Sequence, residues 1–405
     1  MQIVLLEDVE RGRFGPLTAL RPDFELRCGA LLLREKIELR RPDWTVVLCP
    51  RPELAPLVGE MHQGRGLDAL DEGPAFLLYG TIVADDALLR QLESVDRECL
   101  LVSEGRPVGA RLDSDVSSRI TSSGAAAAGL GALELPSSTE IEATTVVLPW
   151  ELVDATPGQI GADAELWKLR STASGVADDG THLVGDDILL GEGSVVRAGA
   201  VLDSTNGPVL IGRDVVVMPN AFIEGPAAVG DGSLIRVGAA VSGGTSIGPV
   251  CKIGGEIQGS VVHSFSNKQH GGFLGHSYVG SWVNLGAATD NSDLKNNYGP
   301  VTVRLGGEVF ETGLRSVGAF IGDHTKTAIG TKLNTGTVIG IFCNVVSVGF
   351  PPKSIPDFSW SKKGGFVRQS LERALETASV VMKRRGRELT PALEALIEAL
   401  FEPSA

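Results

Sequence analysis

An aliphatic residue recurs at every sixth position along the middle of this chain. From Ile211 the run reads Ile211, Val217, Ile223, Val229, Ile235, Val241, Ile247 and Ile253. The same phase shows at Leu190, Val196 and Leu202, at Phe273, Val279 and Leu285, and at Ile321, Thr327, Leu333, Ile339 and Val345. Such a period is neither the roughly 3.6 residues of an α-helix nor the roughly two of a half-buried strand. It suits short flat strands joined by tight turns, each aliphatic side chain pointing into a stacked interior. That is the hexapeptide signature of a parallel β-helix. Gly and Asn at the corners relieve the penalty on positive φ. The repeat predicts a solenoid over 183–350. Two stretches, 256–275 and 290–316, keep the spacing loosely or read as inserted. Interruptions of this kind frequently carry a binding face.

The pattern changes on either side. Over 1–150, short apolar runs (QIVLLED, WTVVLCP, AFLLYG, ECLLV) alternate with helix-like ALLLREKIELRR and DDALLRQLESV. This predicts an α/β head domain. Residues 151–182 read as a connector. Residues 351–405 open with the Pro-rich GFPPKSIPDFSW and continue with FVRQSLERALETASVVMKRRGRE and TPALEALIEALF, two amphipathic helices. The basic end Lys383, Arg384 and Arg385 reads as solvated rather than as a ligand site.

Composition narrows the function. The 51 Gly among 405 residues and an aromatic share of 5% fit tightly turning β structure with a thin interior. A net charge of −14 argues against a duplex nucleic-acid partner, which needs a basic footprint. No apolar stretch reaches the roughly 18 residues of a spanning helix, and the N-terminus lacks a signal-peptide pattern. The five Cys are scattered and without metal spacing, so a reduced, cytoplasmic setting is expected, with no metal site.

The most informative stretch is SNKQHGGFLGHSYVGSWVNLGAATDNSDLKNNYG, residues 266–299. Here the chain resembles the bifunctional N-acetylglucosamine-1-phosphate uridyltransferase/glucosamine-1-phosphate acetyltransferase family, in particular a divergent, short-headed branch of sugar nucleotidyltransferase-like proteins. The resemblance is strong over 205–350 and weak over 1–150. It implies a left-handed β-helix and a homotrimer with acyl-donor clefts between neighbours. The family motif places a catalytic His, an aromatic three residues on, Leu-Gly, then an Asn and an Asn-Tyr pair. This chain offers His270, Phe273, Leu274-Gly275, Asn284 and Asn297-Tyr298. The resemblance thus implies His270 as general base with Asn284 orienting it, and Phe273, Asn297 and Tyr298 at the substrate. Phe273 stands where the family has Tyr, and the Asn-Tyr pair arrives late, in a longer loop. Gln258 falls where the family has a phosphate-binding Lys, so Lys252 or Lys268 substitutes, with Arg236 matching the sugar-phosphate Arg loosely. Asp323, Thr325 and Gly340 lie near the acetyl-CoA by analogy. His263 and His276 compete with His270; His276 lies where the family has an acid and reads as a rung-corner residue.

The chemistry accounts for these residue types. An amine attacking a thioester must lose a proton, and a neutral imidazole with a pKa of about 6.5 takes it. Arg and Lys hold a sugar phosphate. The expected activity is acetyl-CoA-dependent N-acetylation of an amino-sugar phosphate, in synthesis of a nucleotide sugar such as UDP-N-acetylglucosamine. In the head the phosphate loop is thin: Gly12 and Gly15 make no full glycine motif, Asp23 stands where a Lys is expected, and Thr81 replaces the magnesium-binding Asp. Arg21 and Arg27 remain as candidate nucleotide-binding cations. Two alternatives stay open. One is a sugar-1-phosphate nucleotidyltransferase, using a nucleoside triphosphate and Mg with the solenoid as trimerisation scaffold. The other is a non-catalytic sugar-nucleotide-binding protein.

Overall fold

In the computed structural model, which describes residues 1–9, 12–170, 173–346, 349–362 and 365–402, the six-residue repeat winds into a parallel β-helix of three faces. The first face runs from Val176–Ala177 through Val195–Val196, Val216–Val217, Leu234–Ile235 and Lys252–Ile253 to Asn267–Lys268. The second runs from His182–Val184 to Phe273–Gly275, and the third carries nine strands from Ile188–Leu190 to Ser354–Ile355. Each strand pairs in parallel with its equivalent one rung on, as Val217 with Ile235 and Ile235 with Ile253. The aliphatic column therefore points inward. Ile211, Val217, Ile223, Val229, Ile235, Val241, Ile247 and Ile253 are all at most 1% exposed. Burial of each such side chain contributes about 1.5–3 kcal/mol.

The rungs extend beyond the expected limits, starting at Val176 and continuing through Ser354–Ile355 and Ser359–Lys362. The stretch 256–275 does not break the ladder. Its strands stay in register, with one shortened rung in which Lys252 pairs with Asn267. That shortening moves the phase, so Leu274 rather than Phe273 fills the interior. The insertion at 290–316 is real: Thr302–Leu305 and Glu308–Glu311 form an antiparallel hairpin. Across it, the first face is bridged only by the single residues Asn267, Asn284 and Lys326.

The head is a six-stranded sheet in the order Thr45–Cys49, Gln2–Leu6, Ala75–Tyr79, Arg106–Leu112, Cys99–Ser103, Ser138–Glu140. Its first three strands are parallel. The connector holds the helix Pro149–Lys168, whose Asp163 accepts from the ammonium of Lys36 in the head at 2.6 Å, both side chains fully buried. This helix and the head lie on the third face. Phe14, Leu17, Leu26, Trp150 and Leu152 pack with Val261, Tyr278, Phe320 and Val338, which point outward from that face.

At the corner between the third and first faces, Phe265, Trp282, His324, Phe342 and Phe358 adopt φ between 54° and 61°. Bulky residues rarely occupy this left-handed region. Their rings stack rung upon rung, with Phe265–Trp282 centroids 4.2 Å apart and His324–Phe342 4.6 Å apart. The helices Leu371–Lys383 and Pro391–Phe401 cover this corner, Phe401 meeting Phe358 edge-on at 5.0 Å. The first of these helices is shorter than the sequence pattern suggested. Gly365–Arg368 is instead a strand paired with Ser359–Lys362, and Ser370 caps the helix.

Candidate active site

Two imidazoles, His270 and His276, lie in the segment that the sequence motif singles out, and a third, His263, lies just before it. Only one has a carboxylate partner. His276 sits at the corner between the second and third faces with φ of 45°, its N–H donating to the Gln258 carbonyl at 3.0 Å. One rung on, Asp293 follows the short strand Asp290–Asn291, and its Oδ2 lies 2.7 Å from His276 Nδ1. A carboxylate at Nδ1 holds that nitrogen protonated and leaves the Nε2 lone pair free to accept a proton. Nε2 lies over Gly259; a Cβ there would approach it to 3.1 Å, so the glycine lets the ring pack flat against the backbone. The His276 side chain is 31% exposed, within reach of solvent and of a substrate. The sequence reading placed His276 as a corner residue but missed its partner. The signal was available, because residues one rung apart are vertical neighbours at a corner.

The first face carries a polar column. Lys252, Asn267, Asn284, Lys326 and Asn344 succeed each other in register. Asn267 and Asn284 side chains approach to 3.5 Å, and Arg385, from beyond the Leu371–Lys383 helix, donates to Asn267 Oδ1 at 2.8 Å. Arg236 lies one rung below Gly254, its Cβ 3.3 Å from where a Cβ on Gly254 would stand. Burial, then the charges of Arg385, Arg384 and Arg236, hold the Lys252 ammonium below the usual lysine range. Four cations thus converge on one end of the first face. Arg384 and Arg385 belong to this cluster, which corrects their reading as part of a merely solvated basic end.

His270 stands at the corner that follows this face. Its ring is exposed and makes no hydrogen bond among the described residues. It shares the corner column with Val237, 58% exposed, and Ile329, 81% exposed. Lys268 is turned inward. Its ammonium donates to the carbonyls of Gly254 at 3.1 Å, His270 at 3.3 Å and, more closely, Gly272. Burial lowers its pKa to about 8. Because Asn267 takes the outward position of this strand, Lys268 cannot face a ligand there, which corrects its reading as a phosphate-binding lysine. Phe273 packs its ring over its own strand near Gly275, and its N–H donates to Asp290 at 2.7 Å. Asn297 and Tyr298 lie on the inserted segment, Tyr298 65% exposed, with Asn297 Oδ1 accepting from Gly299 N–H at 3.1 Å.

The proposed acyl-donor residues are interior. Thr325 is fully buried, donating to the Gly340 carbonyl at 2.7 Å and accepting from Cys343 N–H at 3.0 Å. Gly340 packs against Asp357. Asp323 is buried and ion-paired with Arg21 of the head. Arg27 is likewise buried between head and solenoid, with its N–H donating to Tyr278 OH at 2.8 Å and its guanidinium bonded to the Ala30 carbonyl. Arg21 borders a cavity at the head–solenoid contact, but Asp323 takes its guanidinium.

At the C-terminal ends of the parallel head strands, carboxylates gather. Glu7, Asp8 and Asp23 are each at most 5% exposed. Burial, then the charge of Glu7, pushes the Asp23 carboxyl well above its usual range. Thr81 Oγ1 donates to Asp8 at 3.0 Å, and Arg51 is taken by Glu7. Among the described residues no group of three or more His, Cys, Asp or Glu is arranged to hold a metal ion.

Residues 3–172 match the family model described as sugar nucleotidyl transferase. Among curated proteins, the bifunctional protein GlmU of Acidithiobacillus ferrooxidans is 31% identical over 38% of this chain and 31% of its own length. The bifunctional sugar-1-phosphate nucleotidylyltransferase/acetyltransferase of Sulfurisphaera tokodaii is 32% identical over 22% of each chain. The matched part spans less than a third of these relatives. Among solved structures, a UDP-N-acetylglucosamine acyltransferase of Francisella novicida matches with a TM-score of 0.27 and 13% identity, over 55% of this chain and 78% of that one. Scores this low carry no inference about this chain.

Proposed function

We propose that this GlmU-like family member, whose head matches the sugar nucleotidyl transferase family, is an acyltransferase that moves an acetyl group from acetyl-CoA to the amine of an amino-sugar phosphate. The observation that carries the reading is the His276–Asp293 pair. The substrate amine attacks the thioester carbon and gives its proton to His276 Nε2. The C–S bond breaks, and the departing thiolate takes the proton back from the imidazolium. Asp293 stabilises that imidazolium and keeps the ring oriented. Arg236, Lys252 and Arg385 hold phosphate groups one face away, across the strand Phe273–Gly275. Acetyl transfer measured with labelled acetyl-CoA tests this. His276→Ala lowers turnover by about a hundredfold or more, and unchanged turnover sinks the assignment.

A second reading keeps the imidazole of His270 as base. It is favoured by the exposed Val237 and Ile329 in the same corner column, an apolar edge that association of three chains would cover. In that trimer His270 faces a neighbour, beside the cation cluster. His270→Ala then carries the loss and His276→Ala does not.

The head, on this reading, is a docked scaffold. The nucleotidyltransferase alternative draws on the family match alone, and pyrophosphate release from any of the four nucleoside triphosphates with sugar phosphate and magnesium would restore it. All five Cys are buried and unpaired, and no helix among the described residues is long and apolar enough to cross a membrane; the first observation supports a reduced compartment such as the cytoplasm.

A further inference from the structure

The head, the solenoid and the two C-terminal helices meet around a cavity of about 590 Å³. That is the size of a small-molecule site. It lies at the corner between the third and first faces, and its rim at Gly386 and Arg387 adjoins Arg385 of the cation cluster. One wall is the aromatic ladder, at Phe265, Trp282 and His324. The opposite wall is aliphatic, with Leu57 and Met61 from the head and Met382 and Leu393 from the helices.

Three features describe what belongs there. First, His324 interrupts a ladder that is otherwise Phe and Trp. It is 1% exposed, and its Nδ1 has no hydrogen-bond partner among the described residues. An orphaned buried polar atom costs about 1–3 kcal/mol, which a Phe at this position would avoid. Trp282 and Phe342 flank its ring at centroid distances of 6.0 and 4.6 Å, contacts that a Phe ring would also make. Second, the floor offers further hydrogen-bonding groups. The hydroxyls of Ser264 and Ser281 lie 2.8 Å apart, and both approach His263 Nδ1 at 3.1 Å. Third, the floor has no spare cation. Arg21 is bound to Asp323, and Glu25 is bound to Arg34 at 2.6 Å. At the rim, Arg387 is outnumbered by Glu60 and Glu388. The net charge of the lining is negative and disfavours a phosphate or carboxylate here.

We infer that this cavity binds an uncharged, ring-bearing amphipathic molecule, whose hydroxyl or ring N–H meets the imidazole of His324. Its apolar body lies between the ladder and the aliphatic wall. The occupant touches all three parts of the chain and so fastens the C-terminal helices to the head and the solenoid.

Calorimetric titration of the full chain with 2-naphthol and with indole tests this, with sodium pyrophosphate as the charged control. At least one neutral ring compound binds at micromolar to sub-millimolar concentration, and pyrophosphate does not displace it. His324→Phe preserves the ladder and weakens binding at least tenfold while the melting temperature holds or rises. Leu393→Trp, on the helix wall, fills the space and abolishes binding without touching the imidazole; it serves where His324→Phe does not fold. Absence of binding by both ring compounds overturns the inference, as does displacement by pyrophosphate. Binding that survives Leu393→Trp, or survives His324→Phe undiminished, also overturns it.

Discussion

Arg21 of the head and Asp323 of a solenoid corner form an ion pair although 302 residues separate them. Their side chains are 9% and 4% exposed, so water screens the pair little. Asp323 also accepts from Ser281 N–H at 2.9 Å, which ties the pair into the solenoid backbone. Removing one partner leaves an uncompensated buried charge. Arg21→Ala is expected to cost about 3–5 kcal/mol in denaturant unfolding. The double replacement Arg21→Met with Asp323→Leu is expected to recover most of that loss. A single substitution within about 0.5 kcal/mol of the parent would show that the pair is not a staple.

Acid should loosen the molecule in a defined window. Burial first, then neighbouring cations, holds His263 and His324 well below the usual imidazole range. Above about pH 6.5 neither the folded nor the unfolded chain protonates them. Below it the unfolded chain takes up protons that the folded chain refuses. Stability therefore falls as pH drops, by about 1.4 kcal/mol per pH unit for each histidine. Glu25 acts later: against the effect of burial, the hydrogen bond from His62 and then the charge of Arg34 hold its pKa at about 2, so its contribution fades only below about pH 4.5. Urea unfolding at pH 7.5 and 5.5 checks this. His324→Phe should lose about half of the slope, and an unchanged slope would remove His324 from the account.

Gly248 is a fixed point of the coil. A Cβ there would lie 1.3 Å from the His263 carbonyl oxygen, and that atom is backbone. Neither strand can yield without breaking the ladder that joins Ser246–Ile247 to Val261–Val262. Gly248→Ala should therefore destabilise by more than about 4 kcal/mol, at the extreme for single substitutions. Circular dichroism after expression reads this directly. A soluble variant with the parent melting temperature would contradict the rung packing.

The two halves of the proposed site should separate kinetically. Asp293→Asn keeps the shape but frees the tautomer of His276, so kcat should fall by about 10² or more with KM little changed. Arg385→Ala removes a phosphate contact from the cation cluster, so KM should rise about tenfold. Its effect should shrink as salt screens the exposed charges. A change in kcat alone for Arg385→Ala would place that residue elsewhere in the cycle.

Much of this was legible in the residue order. The six-residue column named the interior side chains from Ile211 to Ile253, and the structure buries every one. Periodicity succeeds there because a side chain's direction depends only on its place in a repeating rung. The head's alternation of strands and helices and the helix Pro391–Phe401 were legible for the same local reason.

Tertiary structure decided the rest. The rung from Lys252 to Asn267 is shorter than its neighbours, and a small slip of register exchanges inside for outside. Lys268 therefore points into the prism while Asn267 meets Arg385. Gly365–Arg368 became a strand because the edge at Ser359–Lys362 offered unpaired backbone. Asp293 reached His276, and Arg21 reached Asp323, only once the coil and the docked head had closed the distance. Spacing along a chain fixes which way a side chain points; which partner it meets depends on how separate segments pack, and no local pattern encodes that.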